Sequence, residues 1–178
     1  MVDYEKLPNM GRPRNVIEPP GIDHLYPDRS LPLAVNLVVW ECPGVAHGEQ
    51  HWAISWQVGS MLQYGNVPVL RLLSVTREIG PQGPLNHLTN WGPITRTAGI
   101  PTQTYGVFRP IATLSHDQRQ RLEAIAAAEP VLKPNGWWNC QNWTVSILIK
   151  AIAAGVFTHQ EVSRVLSQAG WSQLWRSF

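Results

Sequence analysis

His51-Trp52-Ala53-Ile54-Ser55-Trp56-Gln57-Val58 alternates without a break: Trp52, Ile54, Trp56 and Val58 fall on one side of an extended chain, and His51, Ala53, Ser55 and Gln57 on the other. A period of two with one bulky apolar side is the pattern of a strand that lays that side on a core. Upstream, Leu33–Trp40 (LAVNLVVW) is short, aliphatic and closed by Pro43 and Gly44, as a buried strand would be. Downstream, the turn Tyr64-Gly65-Asn66 leads into a third strand, Val67–Val75. Three neighbouring strands joined this briefly pair antiparallel. From Gly80 to Ile100 the chain is rich in Gly, Pro, Asn and Thr and reads as a long loop, with a shorter strand expected near Gln103–Arg109.

The last third changes period. Ser115 and Gln118 form a capping-box pair before RQRLEAIAAA, and Thr158 and Glu161 repeat it before VSRVLSQAG, so two helices start there. Between them, NCQNWTVSILIKAIAAG (139–155) is apolar except for Asn142, Ser146 and Lys150, four residues apart. That spacing predicts a nearly buried helix with one solvent-facing polar stripe, capped by Asn139 and stopped at Gly155. Residues 1–32 carry many Pro and Gly and no apolar period, and are expected to form an extended arm before a single domain over 33–178. The expectation is α+β: a small antiparallel sheet packed on the helix that carries Cys140, with two further helices.

Composition narrows the function. A chain of 178 residues fits one domain at about 100–200 residues each. Charged residues are only 15%, the net charge is +2, and the basic residues do not cluster, which disfavours nucleic acid as a partner. No apolar run reaches the roughly 18 to 20 residues of a membrane span, and the opening lacks a signal-peptide core, so a cytoplasmic protein without an integral membrane partner is expected. Cys42 and Cys140 lack zinc-site spacing and read as free thiols; no metal or organic cofactor is implied. Nine tryptophans suit an apolar small-molecule ligand.

With Asn139 as cap, Cys140 occupies the first helical position, where free backbone N–H groups and the helix dipole favour a thiolate. It faces away from the polar stripe, toward the sheet. His51 is the candidate base, on a strand face small enough to leave room beside the ring. Trp137 and Trp138 precede the helix as a candidate pocket wall, His87 and His47 are alternative bases, and Cys42 has no base beside it.

His51-Trp52-Ala53-Ile54 followed about 90 residues later by Asn139-Cys140-Gln141-Asn142-Trp143 resembles the circularly permuted papain-like fold of lecithin retinol acyltransferase and NlpC-type peptidases. Small fungal proteins with an H-W-A strand and a W-N-C-Q-x-W helix start are similar too. Gln141 and Asn142 stand where the acyltransferases have an acidic residue and a histidine. The resemblance covers roughly residues 33 to 155 and implies Cys140 as nucleophile, His51 as general base, and the Cys140 N–H at the oxyanion. The family's third, ring-orienting residue has no histidine counterpart on the strand from Val67 to Val75; Arg71 and Ser74 are the substitutes there, and Asn139, Gln141, Gln57 and Ser55 are further supporting candidates. The expected function is a cysteine-dependent acyltransferase or amide/thioester hydrolase on a small-to-medium apolar acyl substrate. Two alternatives stand beside it: a cyclase or isomerase of fungal secondary metabolism using the pocket for acid/base chemistry, and a non-catalytic ligand-binding module. A homodimer contact through Trp175 and Phe178 is a further candidate.

Overall fold

The structure, a computed structural model, describes residues 5–14, 18–80 and 82–171. Trp175 and Phe178, the candidate dimer contact, lie outside the described residues. Over the described residues the protein is α+β, with an antiparallel sheet of five strands and four helices. In chain order the elements are β1 (Leu33–Trp40), β2 (Trp52–Met61), β3 (Val67–Leu73), β4 (Val75–Thr76), β5 (Ile79–Gly80), β6 (Gly83–Pro84), β7 (Thr89–Asn90), β8 (Ile94–Thr97), α1 (Ile100–Tyr105), β9 (Gly106–Leu114), α2 (His116–Ala128), α3 (Cys140–Ala153) and α4 (His159–Gln168). The sheet order is β8-β3-β2-β1-β9, every pair antiparallel.

The alternation of β2 sets the layers. Trp52, Ile54 and Trp56 join Val35, Leu37 and Val39 of β1, and α2, α3 and α4 bury that face with Leu122, Trp143, Ile147, Leu148 and Val165. The opposite face, read from the sequence as small and polar with room beside His51, is covered: Val38, Ala53 and Ser55 on it are fully buried, and α1 packs against β1 and β9. Trp40 donates from Nε1 to Thr102 Oγ1 of α1 at 3.2 Å, which fixes that helix to the sheet.

Several boundaries move for physical reasons. β2 begins one residue after His51 and continues past Val58 to Met61, through a bulge at Gln57–Gly59 that Gln57 closes by donating to Gly59 O and Ser60 Oγ. The expected third strand breaks at Ser74 into β3 and β4. The stretch read as a loop holds β8, the edge strand beside β3; four residues with Pro93 before them leave too little period to recognise. The expected strand over 103–109 is α1 and then β9. Pro101 in the first turn of α1 favours helix, and β9 tolerates Pro110 because it is an edge strand whose register with β1 shifts at that point.

The helix starts match the sequence. Ser115, Asn139 and Thr158 cap α2, α3 and α4 with reciprocal capping boxes, and α3 is followed by Gly155 at φ 67°. The polar stripe of α3 has a different partner from the one expected. Ser146 donates to Glu129 Oε1 at 2.7 Å and Lys150 pairs with Glu129 Oε2, so Ser146 and Lys150 hold a buried carboxylate at the end of α2 rather than only facing water.

The arm lies on the helix side of the sheet in its described parts. Arg119 of α2, completely buried, pairs with Asp28 through two nitrogens at 2.9 Å and donates to the carbonyls of Arg29, Leu31 and Leu114. The guanidinium itself is closed off from solvent. Arg119→Ala is therefore expected to lower unfolding free energy by about 3 to 5 kcal/mol, against no more than about 1 kcal/mol for Lys133→Ala, whose pair with Glu5 is exposed. Urea denaturation of the two variants checks this; a loss at Arg119→Ala no larger than that at Lys133→Ala would mean that the buried pair to the arm adds no more to the fold than the exposed one.

Candidate active site

Three consecutive residues at the start of α3 reach the segment before β2. Asn139 caps the helix through Oδ1, which accepts from the Gln141 N–H at 2.8 Å, while its Nδ2 donates to Gly48 O at 2.9 Å. Gln141, buried, donates from Nε2 to His47 O at 2.7 Å and to Gln50 O at 3.0 Å. Between them, the Cys140 Sγ lies 3.8 Å from Gln50 O and accepts from the backbone N–H of Trp52. The sulfur thus rests against the backbone on both sides of His51.

The imidazole of His51 packs on Trp40, ring centres 4.9 Å apart at 41°. It makes no hydrogen bond to the thiol among the described residues. Burial holds its pKa down to about 4, so the ring is neutral at neutral pH, in the form that accepts a proton. Cys140 departs from expectation. Burial raises its thiol above the ordinary range, and the backbone N–H groups of Trp52, Cys140 and Gln141 only partly offset this. The helix start does favour the thiolate, but desolvation in the core outweighs it. The resting pair is a neutral thiol and a neutral imidazole.

Cys140 lines a cleft of about 470 Å³, within the usual range for small-molecule sites. Trp137 and Trp138 line it as the sequence suggested; Asn135 Oδ1 accepts from both of their backbone N–H groups and fixes the turn, leaving Trp137 44% exposed. His87 is in the same cleft, its Nε2 2.8 Å from Gly11 O and its Nδ1 3.2 Å from Asn86 Oδ1, whereas His51 is not among the lining residues. Glu49 and Arg77, which sequence reasoning missed, put one charge of each sign on the walls. Neither stands in a motif; only the fold brings positions 49, 77 and 137 together.

The other candidates lie elsewhere. Arg71 is held by Glu123, Thr95 and Asp23 on the helix side of the sheet, so it does not orient His51. Ser55 is four residues along β2, about 13 Å from His51, with its hydroxyl buried and unpartnered. Gln57 serves the bulge. Ser74 lies at the break between β3 and β4. His47 rests on Gly170, where φ is 68° and a Cβ would come within 2.6 Å of the ring. Cys42 is a free thiol in the turn closed by Val45 N–H to Cys42 O. Among the described residues no helix is long and apolar enough to cross a membrane.

Comparison with protein families, with curated proteins and with solved structures finds no match to this chain.

The two shifts have opposite pH signatures. His51 has a depressed pKa, so the unfolded chain takes up a proton between pH 6.5 and about 4 that the folded chain refuses. Stability from this group is complete above pH 6.5 and falls as pH drops, by at most about 1.4 kcal/mol per unit; His51→Gln should flatten that part of the curve. The raised thiol is the converse, stabilising below its unfolded pKa and losing that contribution as pH rises. Iodoacetamide at pH 8, read by peptide mass spectrometry, should accordingly modify Cys42 faster than Cys140. Faster reaction at Cys140 would show that the helix start, not burial, governs the sulfur.

Proposed function

We propose that the protein is a cysteine-dependent acyltransferase or amide/thioester hydrolase of permuted papain-like architecture, with Cys140 as nucleophile and His51 as general base. The single observation that carries this is the sulfur at the first position of α3, on the wall of a ligand-sized cleft and against the backbone on either side of His51. A buried neutral thiol beside a neutral imidazole suits activation at the moment of attack rather than a standing ion pair. His51 packs with Trp40 on the face of the sheet away from α3, so for attack the ring leaves Trp40, turns round the start of β2 toward the sulfur and takes the thiol proton as sulfur bonds to the acyl carbon. The backbone N–H groups that now face the sulfur stabilise the oxyanion. Collapse expels the leaving alkoxide, amine or thiolate, which takes the proton from the imidazolium. Water or a second nucleophile, deprotonated by His51, then resolves the thioester.

Trp137 and Trp138 supply an apolar wall for the acyl chain, while Glu49 and Arg77 make the cleft more polar than a purely apolar acyl group requires. The substrate is therefore an acyl compound with a polar end. A non-catalytic binding cleft is the competing reading, favoured by the raised thiol pKa.

Incubation with aryl thioesters of graded chain length should leave one acyl group on Cys140, detected by intact and peptide mass spectrometry. Cys140→Ala should abolish the adduct and His51→Ala should slow it by about 10²- to 10⁴-fold. The rate should fall on the acid side only as pH approaches about 4, where His51 gains its proton. Cleft occupancy without an adduct at any chain length would establish the binding reading instead.

A further inference from the structure

We infer that Gln141 is a positioning residue for the thiol reaction: by clasping the carbonyls of His47 and Gln50 it sets where the sulfur stands relative to His51 and keeps one hydrogen bond on Gln50 O when the thiol proton leaves. The inference rests on the Cys140–His51 reading.

Three amide donations join the cap and the second residue of α3 to three of the four residues 47–50: Asn139 to Gly48, and Gln141 to His47 and Gln50. The clasped segment is a single exposed 3-10 turn, His47–Glu49, that leads directly into Gln50 and His51. Such a turn would otherwise have only its own short bonds, Glu49 N–H to Ala46 O and Gln50 N–H to His47 O, to fix it. Asn139 and Gln141 flank the nucleophile in sequence, so the clasp and the sulfur move as one body.

Gln50 O is the shared atom. It accepts from Gln141 Nε2 at 3.0 Å and stands 3.8 Å from Sγ, where it receives the resting thiol hydrogen. For the reaction that hydrogen must turn from Gln50 O to the imidazole. A carbonyl already bonded by an amide loses less when the thiol turns away, because one acceptor site stays filled. Gln141 is chemically suited to this: its amide nitrogen has two hydrogens, one for each carbonyl, and no charge to disturb a neutral thiol. An acidic residue at this position would present oxygen to oxygen.

The test is a double-mutant cycle on the full chain, reading acylation of Cys140 by an aryl thioester and its alkylation by iodoacetamide. Gln141→Met keeps the length and burial of the side chain but cannot donate, and should slow acylation by about 10- to 100-fold, the size expected for a misplacement of about 1 Å. In a His51→Ala background the same substitution should slow acylation by less than about twofold, because the geometry it sets no longer matters. Asn139→Ser, which keeps a helix cap but cannot reach Gly48, supplies a second cycle of the same sign if Gln141→Met does not fold. Equal losses in the two backgrounds, or no loss in either, overturn the inference while leaving the thiol reaction standing. Absence of acylation in the wild type overturns both.

Discussion

The ladder between β2 and β3 stops at Ile54 and Leu73, and everything about the candidate site follows from what takes its place. Just before β2 the carbonyl of His51 accepts from Trp40 N–H of β1, so the Gln50 carbonyl and the Trp52 N–H point the other way, toward the side that β3 has left. Backbone groups at that depth need partners. The start of α3 supplies them: Cys140 sulfur for the Trp52 N–H, and the Gln141 amide for the Gln50 carbonyl. A helix end with its own unfilled N–H groups thus meets a strand end with unfilled groups, and the sulfur sits where the two deficits meet.

That position explains the electrostatics. A thiol at the first helical position in solvent would ionise readily, and one buried in the apolar core would not; Cys140 is in both settings, and burial prevails. His51 is subject to the same burial with the opposite consequence, since desolvation disfavours the imidazolium and leaves the ring able to accept a proton. The two shifts push the pair toward the uncharged state from both ends. In the proposed reaction, proton transfer from sulfur to nitrogen would create two charges at once, for a bound, polarised carbonyl and the surrounding N–H groups to stabilise.

The parts of this arrangement that sequence made legible are those governed by a local rule. The capping boxes at Ser115 and Thr158, the cap at Asn139 and the alternation from Trp52 to Val58 each follow from residues within a turn or a strand of one another. Where a rule needs a distant partner the reading stopped. β8 is four residues that become a strand only because β3 offers an edge; Ser146 and Lys150 look solvated until Glu129 arrives from the end of α2; Arg71 looks available until Glu123 and Asp23 occupy it. The cleft is the extreme case, since Glu49, Arg77, His87 and Trp137 come from four separate segments.

The arm belongs to the same account, because the His87 stretch of the cleft depends on it. Gly11 O stands within hydrogen-bond distance of His87 Nε2 and Thr89 Oγ1, and Arg12 donates to Asn90 O at 2.9 Å while its guanidinium lies 5.6 Å over Trp91. Asn90 in turn donates to the carbonyls of Ala126 and Glu129 at the end of α2, the same Glu129 whose carboxylate is held by α3. A continuous chain of hydrogen bonds therefore runs from the arm through the His87 segment to the helix that carries Cys140. The strand-rich half of the sequence provides His51 and the helical half provides Cys140. The pins at Gly11 and Arg12 hold the His87 segment, so the cleft that Cys140 lines has a fixed wall there rather than a free loop.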